Sequence, residues 1–249
     1  MTTEPQPNSI IEGDCLREPV FPPVGVGARR ELVLLLDAIE QLIWASRLHY
    51  ERIQQSAIRD GALSDQRTAQ GEGSEAARQG MRETGIAIVA DVGALIGTIH
   101  RLRLLVNRLP GDPKTRLAKR AFEAEVKELE AARHELEHLD TAILGISQTG
   151  QGAFGTVSWL ERLGGGLARC VSMFPGTLAK DAQGPAQALR RIRTRIDHVK
   201  ARIAGADLNV TEAYIAVTRL EARLREWAES QAEQDWPALK ENGTIRSHN

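Results

Sequence analysis

The chain has 249 residues, 42% of them hydrophobic, 26% charged and only 4% aromatic. Lys and Arg total 32 against 33 acidic residues, a net charge of -1, which excludes a globally basic nucleic-acid binder but says nothing of local patches. The composition also excludes a mostly disordered chain, and the length suits one or two domains able to bury roughly three quarters of their unfolded surface.

Residues 1–27 hold five of the ten prolines and show no helical period, so they read as a flexible N-terminal arm. From Ala28 the pattern changes. Leu32, Leu35, Leu36, Ile39, Leu42, Ile43 and Leu48 recur at three- and four-residue steps and predict a helix to about Ile58. Gly61 to Gly80 is polar and glycine-containing, which predicts a loop. Ile86, Val89, Val92, Ile96, Ile99, Leu102, Val106 and Leu109 trace a second helix, stopped by Pro110-Gly111. Gly93 and Gly97 share one face of it and would let a neighbouring helix approach closely.

Asp112 before Pro113 is a helix start, a capping side chain ahead of a first-turn proline. Leu117, Ala121, Val126, Leu129 and Leu136 carry a third helix to about Leu144, where a glycine-rich stretch ends it. Thr156 to Leu160 and Leu167 to Phe174, separated by Gly164-Gly165-Gly166, predict a β-hairpin. Residues 186–203 fit both periods, with helix favoured by the count. Asn209-x-x-Glu212 opens a last helix that runs to about Gln234 and is stopped by Pro237. Trp44, Trp159, Trp227 and Trp236 are expected at the edges of the core.

The expected fold is therefore mainly α: an antiparallel bundle of about four long helices with a small antiparallel β insertion before the last. Residues 28–236 form a single domain with the insertion within about 153–205, and 237–249 form a C-terminal tail. Cys15 and Cys170 make no C-x-x-C pair, so neither a disulfide framework nor a thiolate zinc site is indicated. No signal-peptide pattern opens the chain, and the apolar run Ile86 to Ile99, interrupted by Asp91, is too short to span a bilayer. A cytoplasmic protein with no membrane association is expected.

Reactive side chains are densest between Arg133 and Asp140. His134-Glu135-Leu136-Glu137-His138 matches H-E-x-x-H, in which two imidazoles four apart share a zinc ion and the Glu acts as base. The charged Glu137, Thr141 and Leu144 where a metzincin needs Gly and His, and Glu161 as the third ligand on a hairpin all oppose it. Arg133 and His138 form an Arg-x4-His pair, suited to metal-free RNA cleavage. The His moves protons, and the Arg holds charge on the phosphorane. Five residues turn a helix by roughly 140°, so one subunit makes a poor site and a two-fold dimer a composite one. In the third reading Arg133 pairs with Glu130 and Glu137 on its own helix, and His134 and His138 are partly buried structural residues.

On "RHELEHLD", with "TIHRLRLLVNRLP" before it and "VKARIAGADLNVTEAYIAVTRLEARL" after it, the chain resembles the HEPN superfamily of helical domains. The resemblance implies Arg133 and His138 as a catalytic pair supported by His134, with no metal or cofactor. It implies a homodimeric endoribonuclease of a stress or phage-defence system, with RNA as partner and a cognate antitoxin or defence partner not readable from the chain. It tilts Val199 to Ala204 towards strand. The alternatives are a non-catalytic HEPN-like interaction module and the H-E-x-x-H zinc hydrolase.

The seven acids among residues 121–140 count against catalysis, because a carboxylate beside His138 repels phosphate. Two local excesses of positive charge favour an anionic partner. One comprises Arg101, Arg103, Arg108, Lys114, Arg116, Lys119 and Arg120 against Asp112. The other comprises Arg190, Arg191, Arg193, Arg195, Lys200 and Arg202 against Asp197.

Overall fold

A computed structural model describes residues 30–70, 75–138, 155–163, 167–173, 193–203 and 206–242. The expected arm (1–27), Leu139–Leu144 at the end of the third helix, and Arg190 and Arg191 lie outside them. Among the described residues five helices and four strands follow in the order α1 (Arg30–Gln70), α2 (Glu75–Val106), α3 (Pro113–Glu125), α4 (Leu129–Glu137), β1 (Thr156–Leu163), β2 (Leu167–Met173), β3 (Arg193–Ile203), β4 (Ala206–Asn209) and α5 (Val210–Asn242). The mainly α architecture with a small antiparallel β insertion before the last helix is the one the sequence predicts.

Helices α1 and α2 form a long antiparallel pair, and their apolar stripes make the centre of the core: Ile39, Ile43 and Ile53 against Ile88, Ile96 and Ile99. The predicted loop over Gly61 to Gly80 is helix on both sides of residues 71–74. The two helices approach closely there: a Cβ on Gly80 would sit 2.9 Å from Leu63 Cδ1, and Thr84 Oγ1 donates to the buried Asp60 at 3.1 Å. Glycine at 80 serves helix packing rather than a turn. The predicted Gly93/Gly97 approach is not made: Gly93 has only Leu136 at 4.0 Å, and nothing lies within 4 Å of a Cβ on Gly97.

Among the described residues, α2 alone is long and apolar enough to cross a membrane, with mean hydropathy 1.5 over its most apolar window, where Ile86–Ile99 alone had looked too short. Of that window 44% is buried in the fold. Asp91 is paired with His49 at 2.9 Å.

The third helix is broken. Asp112 caps α3 as expected, accepting from the amides of Lys114 (2.9 Å) and Thr115 (3.1 Å) with Pro113 in the first turn. The helix then ends at Glu125, and α4 begins after a turn at Val126–Glu128. The break gives the two halves different neighbours: α3 lies on α5, while α4 lies on α2 and the β4 edge. Its buried line is Thr115, Ala118, Phe122, Val126, Leu129 and Ala132: Val126 and Leu129 are buried as predicted, but on α3 Ala118 and Phe122 replace the predicted Leu117 and Ala121, and Leu117 is turned out to 71% exposure.

The sheet has the order β2-β1-β3-β4, all antiparallel. The β1–β2 hairpin forms as predicted. Residues 193–203 are strand, so the helical count was wrong and the tilt to strand over Val199 to Ile203 right, because β3 completes the sheet between β1 and β4. β4 lies beyond the expected limit of 205. Val157 and Trp159 of β1 alternate inward with Val199, Ala201 and Ile203 of β3, burying one face on the helices. At His198 (φ 52°) β3 bulges, and Val199 N donates to Thr211 Oγ1 at 2.8 Å, tying the sheet to α5. Gly155 (φ 70°) admits no Cβ, which would meet the carbonyl oxygen of Arg202.

Asn209 Oδ1 accepts from Glu212 N at 3.2 Å, the predicted cap, but α5 continues through Pro237 to Asn242. Proline removes one amide donor and kinks a helix without necessarily ending it. Trp159 and Trp227 are core residues rather than edge caps, whereas Trp44 is half-buried beneath Arg47.

Candidate functional site

The motif residues fall on α4 and its end, but they do not come together as a catalytic pair. Arg133 is half-buried and turned towards α2. Its Nε and Nη2 donate to the two carboxylate oxygens of Glu137 at 2.8 and 2.7 Å, and its Nη1 donates to His100 Nε2 at 2.7 Å. One turn along α2, Arg103 holds Glu130 with two bonds of 3.1 Å. Arg133 is thus salt-bridged as the third reading expected, but by Glu137 alone, because Glu130 is taken by Arg103.

His134 and His138 are both exposed, which corrects the expectation that they are partly buried. Their rings meet edge to face with centroids 4.5 Å apart, and His138 N caps the helix on His134 O at 3.0 Å. Among the described residues no group of three His, Cys, Asp or Glu side chains gathers to hold a metal ion. Glu161, the required third zinc ligand, is fully buried on β1 and bound to Arg169 at 2.5 Å.

His100 is the residue of this cluster that the motif does not contain. Burial, then the Arg133 and Arg103 guanidiniums, push its pKa below the ordinary 6.5. The neutral imidazole accepts the Arg133 bond, so the lone pair a general base would use is already engaged. Hydrogen bonds from Arg103, then its charge, hold the exposed Glu130 below the ordinary carboxylate value. Cations and carboxylates alternate around His100, and a phosphate entering here must displace a carboxylate.

The basic stretch at the α2–α3 junction has the opposite electrostatics. Asp112, its one acid, is committed to capping: burial alone would raise its pKa, but the hydroxyl and amide of Thr115 and the amide of Lys114 outweigh this and lower it. Lys119 Nζ is spent on the carbonyls of the turn just after α2, at Asn107 (3.2 Å) and Leu109 (2.6 Å), and Asn107 donates to Glu123 at 3.0 Å. These bonds stitch α2 to α3. Leu104 near the end of α2, Arg108 in the turn that follows it, and Arg116 and Arg120 on α3 are exposed beside these bonds. Arg101, Arg108, Lys114, Arg116 and Arg120 are exposed, and none makes an ion pair among the described residues.

The second basic stretch is weaker: Arg202 is held by Asp207 at 2.6 and 2.9 Å, leaving Lys200 exposed beside it. A groove of about 550 Å³ opens here, lined by Thr156, Ser158, Lys200 and Arg202 with Glu128 and Asp207. No family model, no curated protein and no solved structure matches the chain.

Proposed function

We propose that the chain is a non-catalytic HEPN-like helical module of the cytoplasm that binds RNA through the exposed face of α2 and α3. The observation that carries this reading is that Arg101, Arg108, Lys114, Arg116 and Arg120 stand exposed around the α2–α3 junction and make no ion pair among the described residues. Each such cation that meets a phosphate releases a counterion, so affinity falls steeply with salt. No aromatic side chain lies among them, so recognition is of the backbone rather than of stacked bases.

A second reading, the homodimeric endoribonuclease of a stress or defence system, is favoured by one observation: His134 and His138 are open to solvent, where imidazoles can move protons. It requires Arg133 to leave Glu137 for substrate.

The test is incubation of a short single-stranded RNA with the wild-type chain, Arg133→Ala and His138→Ala. The binding module shifts the RNA without cleaving it in all three cases. Cleavage by wild type that both variants lose would replace this reading with the nuclease.

A further inference from the structure

The groove on the sheet is used neither by the Arg133 motif nor by the arginines of the RNA reading. Strand register builds it. Along β1, β3 and β4, Val157, Ala201 and Leu208 lie side by side and are buried towards the helices. Their neighbours in each strand therefore stand on the opposite, outer face. One row there is Ser158, Lys200 and Asn209, and the next is Thr156, Arg202 and Asp207. Adjacent side chains within a row are about 5 Å apart at Cβ. Both rows line the groove, and Glu128, in the turn between α3 and α4, joins them from the helical side.

The two rows differ in what is left over. Arg202 and Asp207 satisfy one another through bonds of 2.6 and 2.9 Å. Those bonds first, then the charges of Arg202 and Lys200, hold the Asp207 carboxyl below its ordinary value. In the other row Lys200 is exposed and makes no ion pair, and Ser158 Oγ no hydrogen bond, among the described residues. Asn209 Oδ1 is taken by the Glu212 amide at 3.2 Å, which leaves its Nδ2 to donate. A hydroxyl, an ammonium and a carboxamide nitrogen thus stand in line on three strands, a donor set suited to a carboxylate. Val199 N, bound to Thr211 at 2.8 Å, fixes β3 beside Lys200, so the row starts from a rigid backbone. Glu128 is the counterpart. It is exposed, makes no ion pair among the described residues and can only accept.

Two charges of opposite sign therefore share one groove without pairing with each other. A simple anion would satisfy Lys200 and be repelled by Glu128, and a simple cation would do the reverse. A molecule carrying one carboxylate and one ammonium meets both. The volume of about 550 Å³ is that of a small-ligand site, with room for more than a single amino acid. We infer that the groove binds a zwitterion of dipeptide size, its carboxylate on Lys200, Ser158 and Asn209 and its ammonium on Glu128. None of the arginines assigned above to RNA lines the groove, so this site stands or falls apart from that reading.

The experiment titrates the isotope-labelled full chain with alanylalanine, N-acetyl-alanylalanine and alanylalanine amide, which differ in which end is charged. Backbone amide signals of Glu128, Ser158, Lys200 and Asn209 report binding. Alanylalanine binds roughly tenfold more tightly than either capped form, as the loss of one charged hydrogen-bonding group requires. Lys200→Gln removes the preference over the amide, and Glu128→Gln removes the preference over the acetylated form. Titrations that leave these four signals unmoved overturn the proposal. So does acetylated dipeptide binding as tightly as the free one, which makes the groove a plain carboxylate site. A preference that survives both substitutions places the contacts elsewhere and overturns it too.

Discussion

The α4 cluster and the α2–α3 face are both rich in arginine and both touch the last two turns of α2, yet they differ in what becomes of the charge. On α4, Glu130 and Glu137 consume Arg103 and Arg133, and even His100 is drawn in as an acceptor. On α3 the available acids are engaged elsewhere, Glu123 by Asn107 and Glu125 by Arg219 and Arg223 of α5. The arginines on the outer side of α3 are left to solvent. Counting basic residues does not distinguish the two regions; following the acids does.

Phe122→Ala gives the largest expected effect on this contrast. Phe122 is fully buried where α3 joins the core, and its truncation costs about 3–5 kcal/mol in denaturant unfolding. Leu117→Ala, five positions earlier on the outer side, costs under about 0.5 kcal/mol. A comparable loss at both positions would mean that Leu117 belongs to the core and that no open face exists. Asp112→Ala removes the cap that seats α3 and costs about 1 kcal/mol.

Arg133→Ala sharpens the other side of the comparison. With its guanidinium gone, His100 titrates closer to 6.5, rising without fully recovering because burial and Arg103 remain. Imidazole resonances followed against pH read this directly, and an unmoved His100 would mean that Arg133 does not face it in solution. The linked pH effect is smaller. His100 binds a proton less well folded than unfolded, so its contribution to stability is undiminished above about pH 6.5 and falls below it. His100→Gln removes that decline. The loss from Glu130 falls in a separate window, below about pH 4.5, since its folded pKa is the lowered one.

Sequence periodicity located the helices because burial needs one apolar side, and α1, α2 and α5 each meet a continuous core. It misplaced the third helix for two reasons. Lys127 and Glu128 carry no breaker, and the turn there exists only because α3 and α4 have different neighbours. Leu117 was counted as core on residue type, while the small Thr115 and Ala118 take the buried positions because α5 packs close. Gly80 looked like a loop signal for the same reason, that close packing and turns both select glycine. Strand β3 was legible only as an ambiguity, since its alternation shares residues with a helical count. The Arg133 cluster was half legible: Glu137, four residues on, was an evident partner. His100 was not, because nothing in a single helix says which residue of another will face it.

The central claim is that the α2–α3 face binds RNA and the α4 cluster does not. Its most direct measurement is the salt dependence of RNA binding for wild type, Arg116→Glu/Arg120→Glu and Arg133→Ala/Glu137→Ala. On the α3 face the double variant binds roughly tenfold more weakly, with a salt slope shallower by about 1.5, as two lost phosphate contacts on a single strand require. The α4 variant retains wild-type affinity and slope. A loss confined to the α4 variant, with the α3 reversal binding like wild type, would contradict the account.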